Sequence, residues 1–419
     1  MRAGSATGWP DGAGVKHYRD GTHRVTEPRV TLARVMPLAA RMGITRVAVL
    51  TGLDTIGIPV AAAIRPNSRS IAQHQGKGAT LAAAKASAVM EAAETYHAET
   101  IALPLRLASF RELSVPAVAP EHLPLAPAGA AMGAAVSDER VLWAQGTELM
   151  AGAPIFVPFE LVSMDFTQAT RPGNAVFQAT SNGLASGNTW LEAILHAFYE
   201  VIERDAVALW RAAPPAIQDA RAVDLDSVDV PTCRDLLARF ARASMDLRVW
   251  DVTADIRLPV FVCMVQARDA NDDVEPQLGA GCHAARDVAL SRALTEAAQA
   301  RAAVVSGARD DFTAAGYSAA RRARQWEIAA HWLRAPARRS FSAAPDRAAT
   351  DELARDLDTV LAALDAIGVP QAAWVDLTQK AIGIPVVRAI VPGLEGPWTP
   401  ASGEYMPGPR ARAAAALLT

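Results

Sequence analysis

The chain contains only three cysteines, Cys233, Cys263 and Cys282, far apart and with no CxxC pair. Neither a zinc ribbon nor a disulfide framework is therefore indicated, and the usage fits a reducing compartment. No apolar run reaches about 18 residues, and the opening MRAGSATGWPDGAG lacks a hydrophobic signal core, so a cytoplasmic protein outside any membrane is expected. Charge of one sign is also scarce. A net −3 over 419 residues gives no overall electrostatic reason to bind nucleic acid or a membrane surface. There is no GxxxxGK[ST], and no GxGxxG follows a strand, so neither common glycine-rich phosphate loop is present. What remains, 51% hydrophobic and 20% charged, predicts a globular fold with a sizeable core.

The most informative stretch is Ser181–Asp205, SNGLASGNTWLEAILHAFYEVIERD. It predicts a helix after Gly187, running to about Trp210 and capped by Asn188. At about 100° per residue, Asn188, Glu192, His196, Glu200 and Glu203 fall within an arc of roughly 120°. Nearly everything else in the helix is apolar, whereas a surface helix has a broad polar face rich in Lys and Arg. A narrow acidic stripe on such a helix predicts an enclosed polar site. Carboxylates there repel one another and are costly to desolvate unless cations neutralise them, and oxygen-rich ligation suits Mg²⁺.

A second helix, predicted over about Ala79–Glu99, repeats the pattern, with Ser87, Glu91 and Glu94 within roughly 60° of one another. Two apolar helices thus each present a Glu-x-x-Glu pair, Glu91/Glu94 and Glu200/Glu203, and Glu192 adds a fifth carboxylate. One such pair alone is usually a solvated helix face; two on apolar helices favour a metal cluster. A di-iron bundle would need two Glu-x-x-His motifs, and only Glu94–His97 has that spacing. His97 reads as a polar residue near a helix end, and His196 as a hydrogen-bonded neighbour of the stripe. Nearby cations favour phosphate. Arg204 adjoins the stripe, and a chain reversal at Gln75-Gly76-Lys77-Gly78 would offer helix amides and Lys77 to an anion, or be merely a loop with a surface lysine. Arg301 ends the largely apolar LSRALTEAAQAR.

The organisation is that of a mixed α/β protein with a weak internal repeat. Arg41–Pro66, Ala241–Gln266 and Ala366–Pro392 each give a β-rich run, a polar turn near an Asp (Asp54, Asp251, Asp376) and a strand opened by Pro (Pro59, Pro259, Pro385). With the preceding helical stretches these predict three α-β-β units packed as pseudo-symmetric lobes. Residues 104–140 read as loop, 143–162 as strand-like, and 306–350 as a surface excursion. Residues 1–15 are expected to be disordered, 16–405 to form one catalytic domain, and 406–419 a Pro-bearing tail. The arm Lys16–Pro28, KHYRDGTHRVTEP, is either a solvated lead-in or an anion-contacting segment.

The patterns QGKGATLAAAKASAVMEAAETYH, SNGLASGNTWLEAILHAFYEVIERDA, ALSRALTEAAQAR and RAIVPGLE resemble those of YcaO enzymes, over residues from about 16 to 400. The resemblance implies a YcaO-like fold with its α-β-β units around a central ATP/Mg²⁺ site, and an enzyme that uses ATP to phosphorylate a peptide amide oxygen before a nucleophile replaces it. It implies Mg²⁺ held by Glu91, Glu94, Glu200 and Glu203. Asn188, Glu192 and Arg204 would contact metal or phosphates, Lys16 would approach the nucleotide and Arg301 the phosphates; Lys77 and Ser87 join the nucleotide-binding set. Glu200, Glu203 and Arg204 would carry catalysis. KHYRDGTHR and GITRVAVLTGLDTIGIPVAAAIRPNSRS resemble the TfuA-associated branch, which implies thioamide formation on a ribosomal peptide or protein with a TfuA-like partner helping deliver sulfide. Azoline-forming relatives often end in Pro-x-Pro-x-Pro, which MPGPR matches only in part, so azoline formation is the alternative. A non-catalytic scaffold, a di-metal oxidase and a homodimer remain open.

Overall fold

The computed structural model describes Gly12 and residues 14–167, 175–269, 272–307, 318–347, 350–397 and 406–418. The disordered start expected over residues 1–15 lies outside the described residues except at Gly12, Gly14 and Val15.

The first strands, β1 (Arg46–Val49), β2 (Val60–Ile64) and β3 (Gln73–Lys77), form an antiparallel sheet in the order β1-β2-β3. Next come β4 (Leu105–Ala108), β5 (Val141–Glu148), β6 (Ala153–Pro158) and β7 (Leu184–Ser186). β8 (Met245–Asp251), β9 (Val260–Ala267) and β10 (Gln277–Cys282) form a second three-stranded sheet. Finally β11 (Ala373–Asp376) and β12 (Val386–Ile390) complete a larger sheet in the order β4-β5-β11-β12-β7, with β6 on β5.

The repeat expected from the sequence is realised in atomic detail. β1/β2, β8/β9 and β11/β12 are antiparallel pairs, preceded by helices Pro28–Val35, Pro231–Arg242 and Leu353–Ala366 respectively. In each connection a threonine hydroxyl accepts from the first amide of the second strand: Val60 to Thr51 (3.0 Å), Val260 to Thr253 (3.1 Å), Val386 to Thr378 (3.2 Å). The prolines Pro59, Pro259 and Pro385 sit just before those amides, where no ladder hydrogen bond is lost. A third strand then pairs with the second: β3 with β2, β10 with β9, β7 with β12.

Each third strand leads into a long helix: β3 into Leu81–Glu99, β10 into Arg286–Ser306, and β7 into Trp190–Ala212. In the last unit the strand and its helix come before the hairpin in the chain. Strand and helix approach so closely that side chains are excluded. A Cβ on Gly76 would lie 2.0 Å from the Ala88 amide nitrogen, and one on Gly279 would lie 2.2 Å from that of Ala297. Glycine is required there by space, and the alanines of both helices meet it.

Several expectations need correction. Gln75-Gly76-Lys77 is not a chain reversal but strand β3, because the hairpin register pairs Gly76 with Ala61 and Lys77 with Val60. The helix after Gly187 is capped by Thr189, whose hydroxyl accepts from Glu192 N–H at 3.2 Å, while Asn188 turns elsewhere. Residues 104–140 are not all loop: β4 pairs with β5 and the short helix Pro127–Met132 follows. Within 306–350 the helix Ala319–Arg334 forms, since Trp332 packs against Trp210 and Trp250 with ring centroids 5.5 and 5.2 Å apart. The C-terminal residues fold into short helices, Pro409–Arg412 and Ala414–Leu417, docked by Arg410 on Asp205 (2.8 Å) and Asp255 (2.7 Å). The three cysteines are free and buried. Among the described residues no helix is long and apolar enough to cross a membrane.

Candidate functional site: a carboxylate-lined cavity between three helices

The three long helices and the arm before residue 31 enclose a cavity of about 530 Å³, within the roughly 300–1,000 Å³ typical of small-molecule sites. Glu91 and Glu94 enter from the first helix, Glu192, Glu200 and Glu203 from the second, and Glu296 from the third. Asp20 joins them at the arm. Against these seven carboxylates stand Arg24, Lys77, Arg204 and Arg292, so negative charge is in excess.

Burial pushes Glu91 up to about 7, against the pull of Lys77, and Glu94 up to about 8 despite its bonds from Ser186. Burial likewise raises Glu200 to about 7, although Arg204 opposes it. Glu203 is raised by burial too, and is only 1% exposed. Glu296 is the exception. Burial alone would raise it, but Lys77 and Arg204 hold it at about 2. Arg204 answers in kind: burial works against its charge, and Glu203, Glu296 and Glu200 override that and raise it.

The donors are oriented from behind. Ser186 donates its N–H (2.8 Å) and hydroxyl (2.7 Å) to Glu94 Oε1, leaving Oε2 for the cavity. Cys282 N–H donates to Glu203 Oε2 at 2.9 Å, and Arg204 lies 3.1 Å from Oε1. Lys77 is ion-paired with Glu296. Among the described residues Arg292 has no ion pair; its Nη1 reaches only His196 Nδ1, at 3.4 Å, and its buried Nε has no hydrogen-bond partner there. His196 is thus a neighbour of the cavity cation, and burial keeps it neutral. His97 donates to the Ala93 carbonyl at the helix end, 2.7 Å away.

Ser87, Asn188 and Lys77 also line the cavity. Glu192 lines it too, but it is occupied in holding the arm. It accepts from Val25 N–H at 3.1 Å and Asn188 Nδ2 at 2.9 Å, and Arg24 lies 3.6 Å away. Of the arm expected to meet an anion, Arg24 faces the cavity, while two residues predicted for the site lie off it. Lys16 is buried against Asp356 and the Thr350 carbonyl, where it latches the arm to the Leu353–Ala366 helix. Arg301 lies five residues beyond Glu296, about 140° round the helix, and pairs with Asp54 (3.0 Å) and Asp272 (2.5 Å). Glu296 and Arg292 were not anticipated. Their signal was legible: GAGC before LSRALTEAAQAR parallels QGKG before the first acidic helix.

These donors fit Mg²⁺. All are carboxylate oxygens, and burial disfavours the charged form of Glu91, Glu94, Glu200 and Glu203, a cost that a bound cation would offset. No three His, Cys, Asp or Glu side chains among the described residues are already gathered into a metal cage. The carboxylates are instead spread round a cavity, as suits an ion that keeps waters and binds through a few carboxylates plus phosphate oxygens.

Repeated strand–helix units converging acidic faces on one cavity define the class: a helix-walled, carboxylate-lined site for a charged ligand with divalent ions. A family model, YcaO cyclodehydratase, ATP- and Mg²⁺-binding, matches residues 75–395, and the chain belongs to the YcaO family. It is 34% identical over 400 residues to an uncharacterized protein in the tfuA 3′ region of Rhizobium leguminosarum bv. trifolii, covering 94% of this chain and 92% of that one. Its fold is similar to that of YcaO from Methanopyrus kandleri bound with AMPPCP and Mg²⁺ (TM-score 0.72, 21% identity, 93% of this chain and 99% of that one). It is also similar to a heterocyclase in complex with substrate and cofactor (TM-score 0.76, 24% identity), covering 95% of this chain and 55% of that longer one.

Proposed function

We propose that this chain uses ATP to phosphorylate the oxygen of a peptide backbone amide, and that sulfide, delivered with a TfuA-like partner, then replaces that oxygen to give a thioamide. The observation that carries the ATP-dependent step is the convergence of six glutamates with Lys77, Arg204 and Arg292 on one cavity. The tfuA-region relative favours sulfide as the nucleophile.

An amide is a poor electrophile because nitrogen donates into the carbonyl. Attack of the amide oxygen on the γ-phosphorus releases ADP and makes that oxygen part of a good leaving group. Sulfide then adds to the carbon, and phosphate departs with the former amide oxygen. One sulfur enters, one oxygen leaves, and one ATP becomes ADP and phosphate. Glu91, Glu94, Glu200 and Glu203 would hold Mg²⁺, which when bound offsets the carboxylates and draws charge from the transferring phosphoryl group. Lys77, Arg204 and Arg292 supply fixed positive charge where the phosphoryl charge builds. Ser186 and Cys282 hold Glu94 and Glu203 in place, so little reorganisation is needed.

The family's cyclodehydratase description favours a second reading, ring closure by a Cys, Ser or Thr side chain of the peptide. Mass spectrometry of candidate peptides after incubation with ATP, Mg²⁺, sulfide and the partner separates the two. A thioamide is heavier by the difference between sulfur and oxygen; an azoline is lighter by one water. An unchanged peptide together with no Mg²⁺-dependent nucleotide binding would leave only a scaffold.

A further inference from the structure

Behind the glutamate-lined cavity lies a second, small cavity of about 40 Å³. The basic residue of its described wall is Arg388 of β12, 2% exposed. One guanidinium nitrogen of Arg388 donates to the Thr180 carbonyl. Among the described residues its Nε and Nη1 have no hydrogen-bond partner, and neither has the buried Asn182 Oδ1 in the same wall. Burial lowers Arg388 only to about 10, so it is charged at neutral pH. The carboxylate in this wall, Glu395, is engaged elsewhere, accepting from the amides of Gly408 and Ala411 at 2.8 Å each. Glu200 acts on Arg388 from the other cavity, with no ion pair among the described residues joining the two. A buried guanidinium with unused donors is costly, and a matching anion removes the cost.

Size chooses the anion. At about 10–15 Å³ per water-sized probe, the cavity holds roughly three heavy atoms, which suits a carboxylate head and is far too little for a triphosphate. Leu123, Pro124, Leu161 and Leu394 around it suit a short apolar stem. A half-turn of the Asn182 amide presents its Nδ2 as a further donor. We propose that the Arg388 pocket is a carboxylate-binding site, separate from the glutamate-lined cavity. The carboxylate comes either from a peptide or from a free small acid.

Formate is the probe, titrated into the full chain and followed by saturation-transfer NMR. Saturable binding is expected, weakened at least tenfold in Arg388→Met and in Asn182→Asp. The second variant is nearly isosteric and places a carboxylate of the chain itself beside the guanidinium, so it reports even if the first does not fold. Failure of formate to bind the unaltered chain, or equal binding by a folded Asn182→Asp protein, overturns the proposal. A short peptide with a free C-terminus, run beside its C-terminal amide, identifies the source. Displacement of formate by the acid alone assigns a peptide carboxylate, and displacement by neither assigns a free small acid.

Discussion

Glu296→Gln is the most searching perturbation of the site. The change is isosteric and removes one charge from a group that Lys77 and Arg204 hold ionised. Two consequences separate. First, Lys77 loses its ion-pair partner and Arg204 a charge 3.9 Å away. Breaking a fully buried pair costs about 3–5 kcal/mol, and an exposed pair is worth under about 1 kcal/mol. Lys77 and Glu296 are 19% and 24% exposed, so a loss of about 1–2 kcal/mol is expected, a modest fall in urea midpoint. Second, the cavity loses a carboxylate whose field reaches Glu91 and Glu203. Mg²⁺-dependent ATP turnover is expected to fall about 10- to 100-fold, with a higher Mg²⁺ requirement, the range seen when groups supporting a metal site are removed. The assay is phosphate release against Mg²⁺ concentration, beside urea unfolding of the same preparation. A Glu296→Gln protein that loses stability but keeps the unaltered turnover and Mg²⁺ dependence refutes the reasoning, since Glu296 would then serve only to neutralise Lys77. Restored turnover in Lys77→Met/Glu296→Gln would lead to the same conclusion.

Glu203→Gln is expected to abolish ATP turnover with circular dichroism unchanged, because the amide oxygen can still accept from Cys282 N–H while the charge facing Arg204 is gone; normal hydrolysis refutes it. Gly76→Ala places a Cβ 2.0 Å from backbone nitrogen and 2.3 Å from the Ala84 carbonyl oxygen, so strand and helix must part, at about 3 kcal/mol or more, read as a drop in urea midpoint. Stability is expected to fall in acid through buried neutral histidines. Burial, with Arg65 adding to it, lowers His74 to about 3, and burial with Lys16 lowers His23 to about 4. Below about pH 6.5 the unfolded chain therefore takes up protons that the folded chain refuses, and at pH 5 His74 alone accounts for about 2 kcal/mol. A His74→Gln protein with the same dependence of urea midpoint on pH between 7 and 5 refutes that source.

Much of this site was open to reading along the chain, because helical periodicity is local. Spacing alone put Glu91 with Glu94 and Glu200 with Glu203 on single faces, and the mostly apolar remainder of those helices marked the faces as enclosed. The three hairpins were legible for a similar reason: a proline before a strand and a polar turn are local signals, and they recur. Lys77 does line the cavity, but the chain reversal that singled it out is a strand, and a strand ending at the cavity places the residue much as a turn before a helix would.

What the order of residues determined by itself was which side chains share a face and which segments repeat. Only tertiary packing decided which faces meet. It turned Arg301 towards Asp54 and Asp272 instead of the cavity, and gave Lys16 to Asp356. It brought Glu296 and Arg292 from the third helix to a site two helices had announced. It also left Arg388 charged and, among the described residues, under-bonded behind them. The physical reason is range: helix faces follow from a few neighbouring residues, whereas charge pairing depends on which distant elements the core draws together.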